Sequence, residues 1–576
     1  MEDFSQYLSG EGLENLEKAR HLEEEESLRD PPEEPYKSKY AARALLIVVK
    51  ANLVSFVNDT VQDQVRFAAA GIEAALGINF VSTEEASAGE EHITNCLKML
   101  DGREADRRAC LTALKALNQL GILWADRGEC SNALEYLSQA ENLYIKYTDE
   151  VGAPPFDLCD IFKGTDAETF SQQGQKLFDR CHTHTLYYLA QVHHNLEQPQ
   201  QSAYYCQVTL KRQLILNEYD PADWALNCAV LSQFYVAKCD FTQARHCLAS
   251  ASHVMGHAER SPPSLGEGES DEAHAKKLAD IARCWAKYCA ALLQESRDRV
   301  AADLDDDDDL QPTKESADDD DDKERFVFDT LELTHYEEEV TDVRVANFEQ
   351  ARGVFLVAQR RLADAREFYS LYHHASDYAE LARDSSLLYK LLAFFEPDFE
   401  RKSKMHKRRV DALCGVLGEL NPRHYLLICR QLMYEIAEAY GEMLDIKMAI
   451  VEEHQTTPSP HAVRKINSLC AECIRNFELF LDSFKTNDVM PEQFDSDNVR
   501  PVLIAYFYMG RMHSKVIDSD VHKRIEYIEK SIDCYQFLVS YCEKYPEVES
   551  LVKGEYDVCK EMVTLLPVKI ERLRRP

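Results

Sequence analysis

Residues 182–251 decide the fold, and they read HTHTLYYLAQVHHNL (182–196), YYCQVTLKRQL (204–214) and WALNCAVLSQFYVAKCDFTQARHCLASA (224–251). Each piece carries an apolar and small-residue stripe at helical spacing. Gln198-Pro199-Gln200 and Asp220-Pro221-Ala222 stand between them, where proline stops a helix. The unit is a helix, a turn and a second helix, repeated.

A tetratricopeptide array needs a small residue in each helix where the two cross, with bulky residues packed around it. Gly121 is preceded by Leu120 and followed by Trp124, Ala133, Leu137 and Ala140, at offsets of 3, 12, 16 and 19. Ser232, preceded by Leu231, is followed at the same offsets by Tyr235, Ala244, Leu248 and Ala251. A weaker copy runs from Leu189-Ala190 through His193, Ser202, Cys206 and Thr209, and Ala437, Tyr440 and Ala449 keep the first spacings far downstream. The predicted fold is all-α: a tetratricopeptide-like right-handed α-solenoid of two helical lobes.

A solenoid grows by stacking neighbours, so 576 residues can form one elongated body rather than several separate cores. The composition divides the chain into an acidic N-terminal tail (1–35, mobile or loosely docked as a helix), an N-terminal lobe (36–256) and a flexible linker with a connecting helix (257–300). An acidic disordered insertion (301–326) and a C-terminal helical lobe (327–576) follow. The insertion carries two runs of five aspartates, Asp305–Asp309 and Asp318–Asp322, whose self-repulsion opposes compaction. Helical patterning resumes near Val327.

A net charge of −36 argues against nucleic acid, because phosphate binding needs a basic surface, and it suits a basic partner instead. The 18 cysteines sit mostly singly on apolar stripes, the usage of free thiols in a reducing compartment. The first residues show no signal peptide and no run of about 18 apolar residues occurs, so a cytoplasmic protein without membrane insertion is expected. A monomer is expected.

No phosphate loop, zinc helix or nucleophile elbow occurs, so catalysis, metal and cofactor are not expected. Cys470-Ala471-Glu472-Cys473 is a lone pair in a helical pattern and reads as packing. Arg401 to Arg409 is the one concentrated basic stretch, with Arg401, Lys404 and Arg408 on one helical face.

Along most of its length the chain resembles the kinesin-binding protein (KIF-binding protein) family. The residues carrying the resemblance include EPYKSKY (34–40), TEEASAGEEH (83–92), NQLGILW (118–124), THTLYYLAQV (183–192), TLKRQL (209–214), LSQFY (231–235) and IARCWAKYC (281–289). LAFFEPDFERKSKMHKRRV (392–410), FELFLDSF (477–484) and KEMVTLLPVKIERLR (560–574) extend it. The resemblance implies a helical solenoid that wraps kinesin motor domains, keeps them off the microtubule and supports axon growth, with microtubule-associated proteins as further candidate partners. It places partner contacts at Tyr188, Gln191, Lys211, Arg212, Gln213 and Gln233. Val230 stands where other members are expected to carry threonine. The alternative on the same scaffold is a co-chaperone or assembly adaptor gripping peptide tails, for which the central repeats offer only Lys211-Arg212 as a carboxylate clamp.

Overall fold

Each repeat turns on one residue in the left-handed backbone region. In the computed structural model, Gly128, Glu197 and Cys239 have φ of 79°, 57° and 57°. They fall seven residues after Gly121, Ala190 and Ser232. The next residue then donates its N–H back into the first helix: Glu129 to the Trp124 carbonyl (3.0 Å), Gln198 to that of His193 (2.9 Å) and Asp240 to that of Tyr235 (3.0 Å). This closure satisfies a carbonyl that the helix end would otherwise leave unbonded.

The same device identifies a fourth repeat. Leu76-Gly77 is followed by Phe80, Gly89, Ile93 and Cys96 at the repeat offsets. Glu84, seven residues after Gly77, has φ 67°, and the Glu85 N–H bonds the Phe80 carbonyl at 2.9 Å. A Cβ on Gly77 would stand 2.4 Å from Ile93 Cγ1, and one on Gly121 would stand 2.5 Å from Leu137 Cγ, the residue at the matching offset. Both glycines exist because the second helix crosses at that point.

The structure describes residues 2–56, 62–164, 172–258, 271–305, 326–453, 458–487 and 489–575. They form two compact units, Met1–Asp220 and Pro221–Pro576. The first contains α1 (Glu2–Tyr7), α2 (Leu13–His21), α3 (Lys37–Ser55), α4 (Gln62–Ser82), α5 (Ala86–Leu100), α6 (Cys110–Asp126), α7 (Cys130–Glu150), α8 (Leu158–Lys163), α9 (Gln172–Asn195) and α10 (Pro199–Leu216). The pairs α4–α5, α6–α7 and α9–α10 are hairpins. Phe4, Leu8, Leu16 and Ala19 are buried against Leu46 and Val49 of α3 and Phe162 of α8, so the acidic N-terminal residues are a docked helical layer. α4 is long and apolar enough over Val65–Ser82 to satisfy a membrane-span criterion, contrary to the sequence reading. That window is 61% buried, its apolar side chains lying in the cores shared with α3, α5, α6 and α8.

The second unit contains α11 (Pro221–Ala237), α12 (Phe241–Ala258), α13 (Asp271–Asp305), α14 (Thr334–Glu337), α15 (Phe348–Phe368), α16 (Ala375–Phe395), α17 (Phe399–Glu419), α18 (Leu426–Glu453), α19 (Pro460–Asp482), α20 (Ser496–Lys515), α21 (Val521–Lys544) and α22 (Lys553–Arg574). α11 and α12, placed by the sequence with the first lobe, pack on α13, which packs in turn on α15 and α16. The division between units therefore falls at Asp220–Pro221 rather than at 256.

Two local expectations are corrected. The chain from Phe326 to α15 is an irregular strap of turns and bends with one short helix, α14, held down by the burial of Phe328, Leu333, Val340 and Val345 along it. Arg245 of α12 pins the strap by donating to the carbonyls of Glu337 and Val340 and pairing with Asp342 at 2.9 Å. The downstream copy of the repeat also fails, since Ala437 and Ala449 lie in the single helix α18. The Ala437 carbonyl instead accepts from the Cys473 thiol of α19 at 3.2 Å. Cys470 and Cys473 are both buried, with burial pushing the Cys470 thiol up to about 11. The greater part of the acidic insertion, 306–325, and linker residues 259–270 lie outside the described residues.

Candidate partner-binding surface

The first helices of successive hairpins in the N-terminal unit line a common face. A cavity of about 470 Å³ is bounded by residues of α2, α3, α4, α6, α8 and α9, and by none from α5, α7 or α10. From α6 comes Lys115, and from α9 come Leu177, Arg180, Cys181 and His184. Neither Lys115 nor Arg180 makes an ion pair among the described residues, so both present cations within a strongly acidic protein. His184 is exposed along one edge, yet the protein packed around it strips enough water, with Arg180 beside it, to lower the basicity of its imidazole.

Continuing the α9 stripe by helical steps from Arg180 and His184 leads to Tyr187, Tyr188 and Gln191. Tyr188 is half-buried, its ring packed against the cluster of Ala133, Leu137, Leu189 and Val192. That burial, with Tyr187 and Asp126 nearby, raises its phenol pKa, so the hydroxyl stays a donor at neutral pH. It makes no hydrogen bond to a described residue. Gln191, one turn on, is exposed with its amide likewise unengaged. These two residues therefore combine a rigid apolar base with unused hydrogen-bonding groups.

The other expected contact residues are placed differently. Lys211, Arg212 and Gln213 lie on α10, the second helix of the hairpin. Lys211 is exposed and Gln213 half-buried. Arg212 points inward: it pairs with the Asp179 carboxylate (3.3 Å), donates to the hydroxyls of Tyr144 and Thr183 (both 3.4 Å), and lies 5.4 Å from the Tyr144 ring centre. Beneath it the His182 imidazole stacks on Tyr144, ring centres 3.6 Å apart. Arg212 is thus committed to holding α7, α9 and α10 together, which removes it from the Lys211-Arg212 clamp that a tail-binding adaptor would need.

Gln233 belongs to the second unit. Its amide nitrogen donates to Ser232 Oγ (3.0 Å) and to the Cys284 carbonyl of α13 (3.4 Å), tying α11 to α13. Val230, one turn earlier, is exposed. The sequence reading missed Lys115, Arg180 and His184. The i, i+4, i+7, i+11 progression from Arg180 through His184 and Tyr187 to Gln191 is a signal that could have found the α9 pair.

Among the described residues no group of three or more His, Cys, Asp or Glu side chains could hold a metal ion. Stacked hairpins presenting polar side chains along their first helices define a tetratricopeptide-like α-solenoid of the kind that works by binding. The chain belongs to the KIF-binding protein family. The family description "KIF-1 binding protein C terminal" matches residues 222–573. The KIF-binding protein of Gallus gallus is 42% identical, over 97% of this chain and 97% of its own length. That of Homo sapiens is 39% identical, over 98% of each. The solved structure titled "Kinesin binding protein (KBP)" superposes with a TM-score of 0.66 at 36% identity, covering 96% of this chain and 98% of that one.

Proposed function

We propose that this chain is a non-catalytic kinesin-binding regulator that engages the motor domains of selected kinesins and blocks their attachment to microtubules. Through that sequestration it acts in the cytoplasm on microtubule-based transport, axonal microtubule organisation and axon outgrowth. Family membership over nearly the whole chain carries the reading. The charge supports it: a motor head docks on acidic tubulin with a basic face, and a protein of net charge −36 competes for such a face. Tyr188 and Gln191 are the contact residues best suited by their unused polar groups.

The test is co-sedimentation of a purified kinesin motor domain with microtubules, with and without this protein. The wild-type chain leaves the motor in the supernatant, and a Tyr188→Ala, Gln191→Ala double variant releases it to the pellet. Salt screens complementary charge with a Debye length of about 8 Å at physiological ionic strength, so the complex weakens as salt rises. If several motors pellet unchanged and none binds the chain directly, the reading fails.

A further inference from the structure

The cavity of about 470 Å³ in the N-terminal unit joins an aliphatic floor to a set of unused hydrogen-bond donors. Leu16, Leu46, Ala74, Ile78, Leu111 and Leu177 line it, and no Phe, Tyr or Trp does. The space comes from the small residues of α4, which presents Gly71, Ala74 and Ala75 to the cavity. A Cβ on Gly71 would collide with Leu158 of α8, so α8 is drawn in at that point, while the two alanines one turn on leave the cleft unfilled.

Four side chains of the lining carry donors. Thr112 and Lys115 are one turn apart on α6, and Arg180 and His184 are one turn apart on α9. Thr112 is only 8% exposed, yet its hydroxyl has no hydrogen-bond partner among the described residues. Lys115 is half-buried and, like Arg180, has no ion pair among them. Buried hydroxyls and half-buried ammonium groups are normally bonded, because losing water without a replacement is costly. The Cys181 thiol shows that the two cations converge: burial pushes it up to about 11, and Lys115 and Arg180 both pull it back. The acidic groups of the same cavity are already engaged. Glu24 and Asp157 pair with Arg20 at 3.0 and 3.4 Å, and Glu23 accepts from the Asn79 amide. Lys39, the remaining cation, donates to the Ser82 carbonyl.

We propose that this cavity is a binding site for a medium-chain acyl carboxylate, its carboxylate held by Lys115, Arg180, His184 and Thr112 and its chain lying on the aliphatic floor. The volume falls in the range of about 300–1,000 Å³ usual for small-molecule sites. Two permanent cations, an imidazole N–H and a hydroxyl suit a single negative charge, which accepts at both oxygens. A doubly charged phosphate would meet repulsion from Glu23, Glu24 and Asp157, which share the cavity. The floor lacks aromatic rings, and an aliphatic chain fills it without needing a stacking partner. Elsewhere the chain offers such an anion little, since its net charge is −36. Uptake is a property of the chain alone, so it goes beyond the motor-binding reading and is measured without a motor.

The probe is 11-(dansylamino)undecanoic acid, titrated with the full-length protein and followed by dansyl fluorescence. Emission rises and shifts to the blue, saturating at one probe per chain. Decanoate displaces the probe, 1-decanol does so roughly tenfold less well for want of a charged head group, and butyrate leaves it bound. Lys115→Met and Arg180→Met each weaken uptake roughly tenfold, the worth of one hydrogen bond to a charged group. Ala75→Leu weakens it by filling the floor with the charges intact. Lys98→Met, on α5, which contributes nothing to the lining, leaves uptake unchanged. Thermal unfolding checks each variant, and Arg180→Met, at an exposed position, decides the matter if a change at a half-buried one disturbs the fold. Absence of saturable uptake overturns the proposal. So does uptake that Arg180→Met leaves unchanged, or displacement by 1-decanol as effective as by decanoate, either of which would show that the cations do not hold the head group.

Discussion

His182 makes the N-terminal unit sensitive to acid. Its ring is buried, stacked on Tyr144, and neither ring nitrogen has a hydrogen-bond partner among the described residues. Burial, reinforced by the neighbouring Arg212 guanidinium, lowers its pKa to about 3 from an ordinary 6.5. A base whose folded pKa is depressed is neutral in the fold and charged in the unfolded chain. Its contribution is therefore intact above pH 6.5 and is lost as pH falls from 6.5 toward 3. One pKa unit corresponds to about 1.4 kcal/mol, so moving from pH 7 to pH 5 removes about 2 kcal/mol through this one residue. For a unit of this length that lowers the unfolding temperature by roughly 4–8 °C. The perturbation is His182→Phe, which keeps an aromatic ring on Tyr144 and removes the titration. Thermal unfolding is followed at pH 7, 6 and 5 by circular dichroism for wild type and variant. The variant should lose about 2 kcal/mol less than wild type over that interval, with the difference appearing below pH 6.5. Parallel pH profiles for the two proteins would refute the reasoning, because the other histidines are common to both.

Two further outcomes separate packing from binding. Gly77→Ala sets a Cβ 2.4 Å from Ile93 Cγ1 and 3.0 Å from the Gly89 carbonyl oxygen. It should cost about 1–3 kcal/mol in thermal unfolding, whereas Gly128→Ala, at φ 79° with nothing within 4 Å, loses only the turn preference of about 1 kcal/mol. Arg212→Ala should destabilise the N-terminal unit by about 1–3 kcal/mol, leaving Asp179 without its ion pair. Gln191→Ala should leave unfolding within about 0.5 kcal/mol of wild type and weaken motor binding roughly fivefold, the worth of one hydrogen bond of about 1 kcal/mol. Equal losses of stability in the Arg212→Ala and Gln191→Ala variants would remove the distinction drawn between the residues.

The repeat was legible where small residues mark a crossing, as at Gly121 and Ser232, because the crossing leaves no room for anything larger. It was missed at Gly77, although the offsets are kept, because an apolar run such as FAAAGIEAALGINFV carries too many small residues for one to stand out. It was misread at Ala437 for the opposite reason. A spacing of 3 and 12 also occurs inside a single long helix, and α18 runs through both Ala437 and Ala449 without a break. The turn itself is the discriminating feature. A left-handed residue at offset seven, followed by an N–H returning to offset three, is present at Gly77, Gly121, Ala190 and Ser232, and only Gly128 of the four left-handed residues is glycine. Glutamate twice and cysteine once occupy the others, so residue type alone could not have located them.

The expected contact residues sorted for a similar reason. A glutamine or arginine on a helix has the same sequence signature whether it faces solvent or a neighbouring helix, and only the partner decides. Asp179 and Tyr144 claim Arg212, and the Cys284 carbonyl claims Gln233, from helices 33, 68 and 51 residues away in the chain. Gln191 and Tyr188 keep their polar groups because no side chain among the described residues reaches them. The exposed face of α3, apolar at Tyr40, Ile47, Val48 and Val54, follows the same logic in reverse: Arg43, Lys50 and Lys39 would have made its surface polar, and α4 with its following turn draws all three away. In this protein the side chains left available for partners are set by which ones the stacking of helices has already used.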